Sequence, residues 1–480
     1  MRLLFIDIDT LRPDHMSCYG YHRKTTPNID LLCNEGIRFD NYYTSNAPCL
    51  PSRAALISGM FGFKNGAVGH GGTAADRRLS GADRSFQDYV DVDNFHNIFR
   101  KAGMQTASIS TFPERHSMWW FNAGLNECYN QGGCGSESGE QVLPTALDWL
   151  ERKGSDDNWY LHFHIWDPHT PYRAPQEFGD PFKNDPIKAW LTPEVFEAHK
   201  SHVGPHSILE TGMYDDNVGN FPRQPGSCED YDTFIKFLNG YDTGILYADY
   251  IVGQVIDKLK SLGIYEDTAI IITSDHGENM GELGIYAEHG TADKATCNIP
   301  MIIKWPGVIG GKIDSGFHYN LDLLPTLSEM LGVDSASHWD GKSYASVFNG
   351  GDATRDYLIL SQNAHVCQRS ARFGDWLYMR TIHDGYHLFD KEMLYNLKND
   401  PYEQYDVKDA HPDICAQGAK LILDWQEELL LENPGITDPM WTVMREGGPF
   451  HTRTDLEAYI KRLESTNRCA GAQKLRDKYL

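Results

Sequence analysis

The segment Asn46-Ala47-Pro48-Cys49-Leu50-Pro51-Ser52-Arg53 sets a cysteine after a proline-stiffened turn, with an arginine four residues on and an apolar helical run behind it. A cysteine in such a place can be buried apolar filler, a nucleophile activated by a neighbouring base, a metal ligand, or a residue modified after synthesis. Acidic and imidazole side chains gather at other short apolar runs: Asp7 and Asp9 close the first, Asp167 follows another, and the pair Asp275-His276 follows a third. In open α/β sheets ligands collect at the carboxyl ends of strands, and these residues all fall there.

The elements that carry them read as strands alternating with helices over about the first 350 residues. Leu3 to Asp7, Thr106 to Ser110, Trp159 to Ile165, Thr268 to Thr273 and Pro300 to Ile303 are apolar or β-branched runs of the kind buried on both faces of a parallel sheet. Asn94 to Ala102, Glu140 to Arg152 and Tyr241 to Leu262 read as the helices between them. The fold class is therefore α/β: a large mixed, mostly parallel sheet flanked by helices, with a smaller C-terminal α+β subdomain containing a short antiparallel sheet. Residues 1–350 form the first domain, with a surface excursion over about 178–238, rich in Pro, Gly, Asn and Asp, placed near the site. Residues 351–480 form the second: Tyr357 to Leu360 and Trp376 to Arg380 alternate as antiparallel strands, Ile414 to Leu431 is an amphipathic helix, and Asp455 to Leu480 is a charged helical tail. There is no internal repeat.

Composition narrows the functions. The chain has 480 residues, and its formal net charge of −24 argues against nucleic-acid partners and against a membrane-surface role, both of which favour a basic face. No apolar run approaches the roughly 20 residues of a membrane span. The N-terminus MRLLFIDID reads as a strand, too short and too acidic for a signal peptide, so a cytoplasmic protein is expected. The ten cysteines show no framework spacing and no C-x2-C zinc pattern, although Cys128 and Cys134 are close enough in sequence to pair. Oligomeric state stays open, a homo-oligomer included.

The whole segment CLPSRAALISG changes the odds among the four roles of Cys49. It resembles the type I sulfatase signature, in which the cysteine of C-x-P-S-R is oxidised to formylglycine before folding; Cys49, Pro51, Ser52, Arg53, Leu56, Ile57, Ser58 and Gly59 all match. Further pieces of the pattern follow in order: FIDIDTLRPDHMSCYG, TPNIDLLCNEGIRFDNYYTSNAPC, WDPHTPYRAP, TSDHGENMGELG, IPMIIKWPG, LDLLPTLSEMLG and LYNLKNDPYEQYDV. The resemblance implies an alkaline phosphatase-like fold and a sulfuric ester hydrolase matured by a formylglycine-generating enzyme.

It also implies roles. Asp9, Asp275 and His276 become metal ligands, and hard oxygens with one nitrogen suit a single Ca²⁺ or Mg²⁺ better than a zinc pair. The family's Asp-Asp at the end of the first strand is Asp9-Thr10 here, so the fourth ligand is Asp7, Thr10 or water, or else Asp7 is an acceptor behind the ligands. Arg53 becomes an electrostatic stabiliser of the aldehyde hydrate. The hydrate attacks sulfur, the alcohol leaves with a proton from His169 or His289, and His116 deprotonates the second hydroxyl to release sulfate. His289 stands where the family has a lysine, so protonated His289 would supply that charge; Arg115 replaces another family cation beside His116.

For substrate, Arg115, His70 in Gly69-His70-Gly71-Gly72, Trp166, the Trp119-Trp120-Phe121 cluster and the excursion are the candidate contacts. The variants IWDPHTPYRAP and EHGTADKATCNIP resemble carbohydrate sulfatases, implying a small sulfated carbohydrate, such as one from glycosaminoglycan degradation. The alternatives are a phosphonate monoester or phosphodiester hydrolase of the same superfamily and a non-catalytic sulfated-sugar-binding protein.

Overall fold

The structure, a computed structural model, describes residues 1–77, 88–135, 137–212, 221–453 and 456–480. Part of the expected excursion, 213–220, and Asp455 at the start of the expected tail lie outside the described residues.

Eight strands form the main sheet, in the order Lys312–Tyr319, Ile37–Tyr43, Met301–Lys304, Thr268–Thr273, Arg2–Ile8, Trp159–Ile165, Gln105–Ile109, Glu127–Tyr129. All neighbouring pairs are parallel except the two made by Met301–Lys304, so the sheet is mixed and mostly parallel, as expected. Side chains alternate across it. Leu4, Ile6 and Ile8 pack on one face, against the helices Pro27–Glu35, Gly139–Lys153 and Tyr231–Ser261. Leu3 and Phe5 pack on the other, against Cys49–Ser58, Phe95–Lys101 and Leu323–Met330. Continuing the second series along the first strand brings Asp7 and then Asp9 to the face that carries the Cys49 helix. Tyr160, His162 and His164 follow the same parity on the adjacent strand, where His164 is the register partner of Asp7.

The smaller sheet runs Glu392–Asn396, Trp376–His383, Cys367–Phe373, Tyr357–Gln362, and the four pair antiparallel. A fifth strand joins it from far away in sequence: Asn46–Ala47, two residues before Cys49, pairs in parallel with Ser361 and Gln362. The loop that delivers the cysteine is thereby tied to both sheets. Pro412–Glu432 covers the smaller sheet, and the tail is two helices, Leu456–Ser465 and Cys469–Tyr479. Cys128 and Cys134 are both free and exposed, so no disulfide joins them. Among the described residues no helix is long and apolar enough to cross a membrane.

Candidate active site

Cys49 opens its helix, and that helix is held from three sides. Ser52 Oγ donates to the Asp275 carbonyl at 2.6 Å, Thr44 Oγ1 donates to Ser52 Oγ at 2.8 Å, and Asn320 Nδ2 donates to the Ser52 carbonyl at 3.0 Å. One turn after Cys49, Arg53 reaches inward rather than towards solvent. Its Nε donates to Asp7 Oδ2 at 3.0 Å, a terminal nitrogen donates to Asp9 Oδ2 at 3.1 Å, and the other donates to Asp275 Oδ2. Phe112 lies 4.1 Å beneath the guanidinium. The sequence assigned Arg53 to the aldehyde hydrate; the structure shows it in addition bonded to the three carboxylates beside Cys49, because the helical turn aims it at the strand ends.

Cys49, Arg53, Asp7, Asp9, Asp275 and His276 are all at most 4% exposed. Three carboxylates against one guanidinium leave the cluster two negative charges in excess, a poor arrangement for a buried site without further cations. Asp7 Oδ1 and Asp9 Oδ1 are buried with no hydrogen-bond partner. His276 Nδ1 donates to the Gly277 carbonyl at 2.8 Å, which leaves the Nε2 lone pair facing the cluster, 3.0 Å from Cys49 Sγ and 3.3 Å from Asp275 Oδ2. Donor atoms of Asp9, Cys49, Asp275 and His276 lie within 4.8 Å of one another. Two surplus charges, orphaned carboxylate oxygens and one free imidazole nitrogen fit one divalent cation with mainly oxygen ligands. Burial favours protonation of every carboxyl here, but Arg53 together with His162 and His164 outweighs it at Asp7, held at about 2, and Arg53 together with His164, His169 and His276 outweighs it at Asp9, held well below the usual range. At Asp275 burial prevails, pushing it up to about 6. Thr10 takes a left-handed backbone at φ 56° and its buried Oγ1 has no partner, so the Asp7 and Thr10 alternatives both remain near the cluster.

A cavity of about 900 Å³ opens over Cys49. Arg115, His116, His70, His169 and His289 all line it, as expected from the sequence. Donor atoms of Cys49, His70 and His116 lie within 4.8 Å of one another, and His116 Nε2 is buried without a partner. His169 Nδ1 donates to the Thr170 carbonyl, which leaves Nε2 for the cavity. Trp166 does not line it: 3% exposed, it stacks on His169 at 4.6 Å and carries Arg115 at 4.6 Å, so it braces two contacts from behind. The Trp119-Trp120-Phe121 cluster is also elsewhere, with Trp119 62% exposed and Phe121 in the core. The excursion does reach the cavity, through His206, Thr211, Gly212, Phe221 and Gln224.

The surroundings of His289 disfavour the lysine-like charge expected of it. Burial and the imidazoles of His276, 4.1 Å away, and His169 hold it well below an ordinary histidine. It lies between two carboxyls, with Nδ1 3.3 Å from Glu278 and Nε2 3.1 Å from Glu288; burial pushes Glu278 up and Glu288 up to about 7. Burial likewise lowers His116 and His169 to about 3.

Sequence reasoning missed His162, His164, Glu278, Glu288, His365 and His451. His164 Nε2 accepts from Arg53 at 3.1 Å and His162 Nε2 is 3.7 Å from Asp7 Oδ2. Their signal was present in HFHIWDPH: two histidines at a spacing of two share a sheet face. His365 and His451 come from the C-terminal region through long-range packing that no local pattern marks.

The sulfatase family model matches residues 2–333, more than half of the chain. The chain belongs to the sulfatase family. It is 27% identical to a choline-sulfatase of Rhizobium meliloti, covering 78% of this chain and 76% of the relative. It is 24% identical to an N-acetylglucosamine-6-O-sulfatase of Bacteroides thetaiotaomicron, covering 84% and 82%. Two solved structures share the fold. A protein in complex with its substrate D-glucosamine-2-N,6-O-disulfate gives a TM-score of 0.70 at 20% identity over 90% of this chain and 99% of that one. A phosphonate monoester hydrolase of Agrobacterium radiobacter gives 0.66 at 19% over 89% and 95%. The sulfatase is thus a sulfuric ester hydrolase on an alkaline phosphatase-like fold.

Proposed function

We propose that this sulfatase hydrolyses the sulfate ester of a small sulfated carbohydrate, with Cys49 matured to formylglycine and one divalent metal, Ca²⁺ or Mg²⁺, held by Asp9, Asp275 and His276 with Asp7 as fourth ligand. The observation that carries the reading is the buried cluster beneath Cys49: three carboxylates, one arginine and an excess of two negative charges. When bound, the metal supplies Lewis-acid polarisation of sulfate oxygens and the aldehyde supplies an oxygen nucleophile where a thiol stands now.

The chain's own residues supply the rest. Arg53 keeps three mutually repelling carboxylates converged. Arg115, braced on Trp166, offers its guanidinium to a sulfate oxygen on the cavity side. His116 Nε2, neutral and unpartnered, takes a proton beside Cys49. His169 exchanges its proton at Nε2, because Nδ1 is committed to the Thr170 carbonyl; His289 stands beside it, ring centres 5.2 Å apart, on the leaving-group side.

Two relatives support a carbohydrate as substrate by their own descriptions, N-acetylglucosamine-6-O-sulfatase and the glucosamine disulfate complex. The phosphonate hydrolase is the reading to test against, since it shares the fold. Matured protein is assayed side by side on an aryl sulfate and an aryl phosphonate. The expected result is sulfate release with the higher kcat/KM; preference for the phosphonate would contradict it.

A further inference from the structure

Seven of the eighteen described residues that line the cavity over Cys49 are histidines. Among the described lining residues Arg115 is the one permanent cation and Glu288 the one carboxyl. Arg115 stacks on Trp166, the side on which the proposed function places the sulfate. The wall that runs from His70, beside Cys49, to His365 and His451 is built otherwise. His365 and His451 stack face to face at 4.0 Å, and His70 Nδ1 lies 3.1 Å from His451 Nε2. Glu288 sits among imidazoles, 3.0 Å from His206, 3.1 Å from His289 and 3.4 Å from His365. Burial and the crowding of imidazoles hold His70 and His365 well below an ordinary histidine.

The wall nonetheless has polar capacity to spare. His70 Nε2 and His206 Nδ1 are buried and make no hydrogen bond within the protein. Neutral imidazoles offer one donor and one acceptor each, and a carboxyl adds acceptors, which is the pattern that hydroxyl groups satisfy. A second anionic group entering here would lose its water and, apart from Arg115, meet no permanent cation among the described lining residues, which is unfavourable for a desolvated charge. Phe450 adds an apolar face at the same end, beside His451 at 5.3 Å between ring centres.

We propose that the cavity selects the sulfate ester of an otherwise uncharged sugar, and that His70, His365 and Glu288 read its hydroxyls as specificity-determining residues. This rests on the reading of the cavity as the place of ester hydrolysis. It separates the chain from the similar protein whose substrate is D-glucosamine-2-N,6-O-disulfate, a sugar with a second anion.

The test uses the full-length matured protein. kcat/KM is measured on monosulfated N-acetylglucosamine and galactose, with sulfate at each hydroxyl in turn, on D-glucosamine-2-N,6-O-disulfate, and on a sulfated disaccharide containing a uronate. The best neutral sugar should exceed both charged substrates by at least about tenfold. Equal or faster turnover of either charged substrate overturns the proposal, as does hydrolysis of 4-nitrophenyl sulfate with none of any neutral sugar. Failure on every ester, 4-nitrophenyl sulfate included, overturns the underlying sulfatase reading as well. His365→Arg places a cation in the wall and should raise the ratio of disulfate to neutral-sugar turnover by about tenfold. That ratio is taken within one protein, so partial misfolding cancels; an unchanged ratio removes His365 from the assignment.

Discussion

At the scale of single residues, Arg53 and the three carboxylates around it decide what the site can hold. Removing the guanidinium leaves Asp7, Asp9 and Asp275 buried and mutually repelling. Arg53→Met should therefore destabilise the metal-free protein by about 3–5 kcal/mol, and added Ca²⁺ should restore part of that loss. An unchanged thermal midpoint without metal would contradict the account. Asp9→Asn should retain the fold by circular dichroism but lose the divalent ion, measured as metal bound per chain by plasma mass spectrometry. The residues of this cluster were legible before any coordinates, since Cys49, Arg53, Asp9, Asp275 and His276 fall on a dense run of motif matches. What Arg53 touches was not legible: a motif marks a position, whereas its partners follow from where the Cys49 helix meets the strand ends. His162 and His164 were readable from their spacing, yet their role depends on the register that sets His164 opposite Asp7.

At the scale of elements, the helix Cys49–Ser58 is the part on which the site depends, and Gly59 ends it. Gly59 takes φ 66°, and a Cβ there would stand 2.8 Å from Leu324 Cδ2 and 3.1 Å from the Trp339 ring. Gly59→Ala should cost about 1–3 kcal/mol through left-handed strain and crowding, read as a lowered midpoint in chemical denaturation; no loss would show that this helix end yields freely. Strand and helix positions were largely readable from period and punctuation, and Trp159–Ile165 and Thr268–Thr273 match residue for residue. The long helix did not: it begins at Tyr231, ten residues before the expected Tyr241. Gly240, inside the helix just before the expected start, serves a close approach, because a Cβ there would lie 2.4 Å from the Arg223 carbonyl oxygen. Asp230 was the start signal, its side chain accepting from Thr233 N at 2.8 Å. The two-residue strand Asn46–Ala47 was invisible for a different reason, since its pairing partner lies more than 300 residues away.

At the scale of the whole molecule, buried neutral histidines make the fold sensitive to acid. Burial lowers His199 and His387 to about 4 and His206 to about 3, from an ordinary 6.5. Their contribution to stability is complete above the unfolded value and is lost as pH falls below it, because the unfolded chain then takes up protons that the folded chain refuses. By pH 5.5 the loss is about 1 kcal/mol for each histidine. The thermal midpoint should fall between pH 7.5 and pH 5.5, and an equal or higher midpoint at pH 5.5 would contradict this reading. The architecture that buries these imidazoles also builds the cavity wall from three distant parts of the chain, His70 near the cysteine, His206 in the excursion and His365 beside the smaller sheet. No window of sequence contains that wall, which is why its chemistry emerged only from the assembled fold.

The central claim is that Cys49 is the precursor of the catalytic group. The most direct measurement is the mass of the tryptic peptide Phe39 to Arg53 from protein made in its native host. The account predicts an aldehyde in place of the thiol at position 49; a peptide carrying only unmodified cysteine would contradict it.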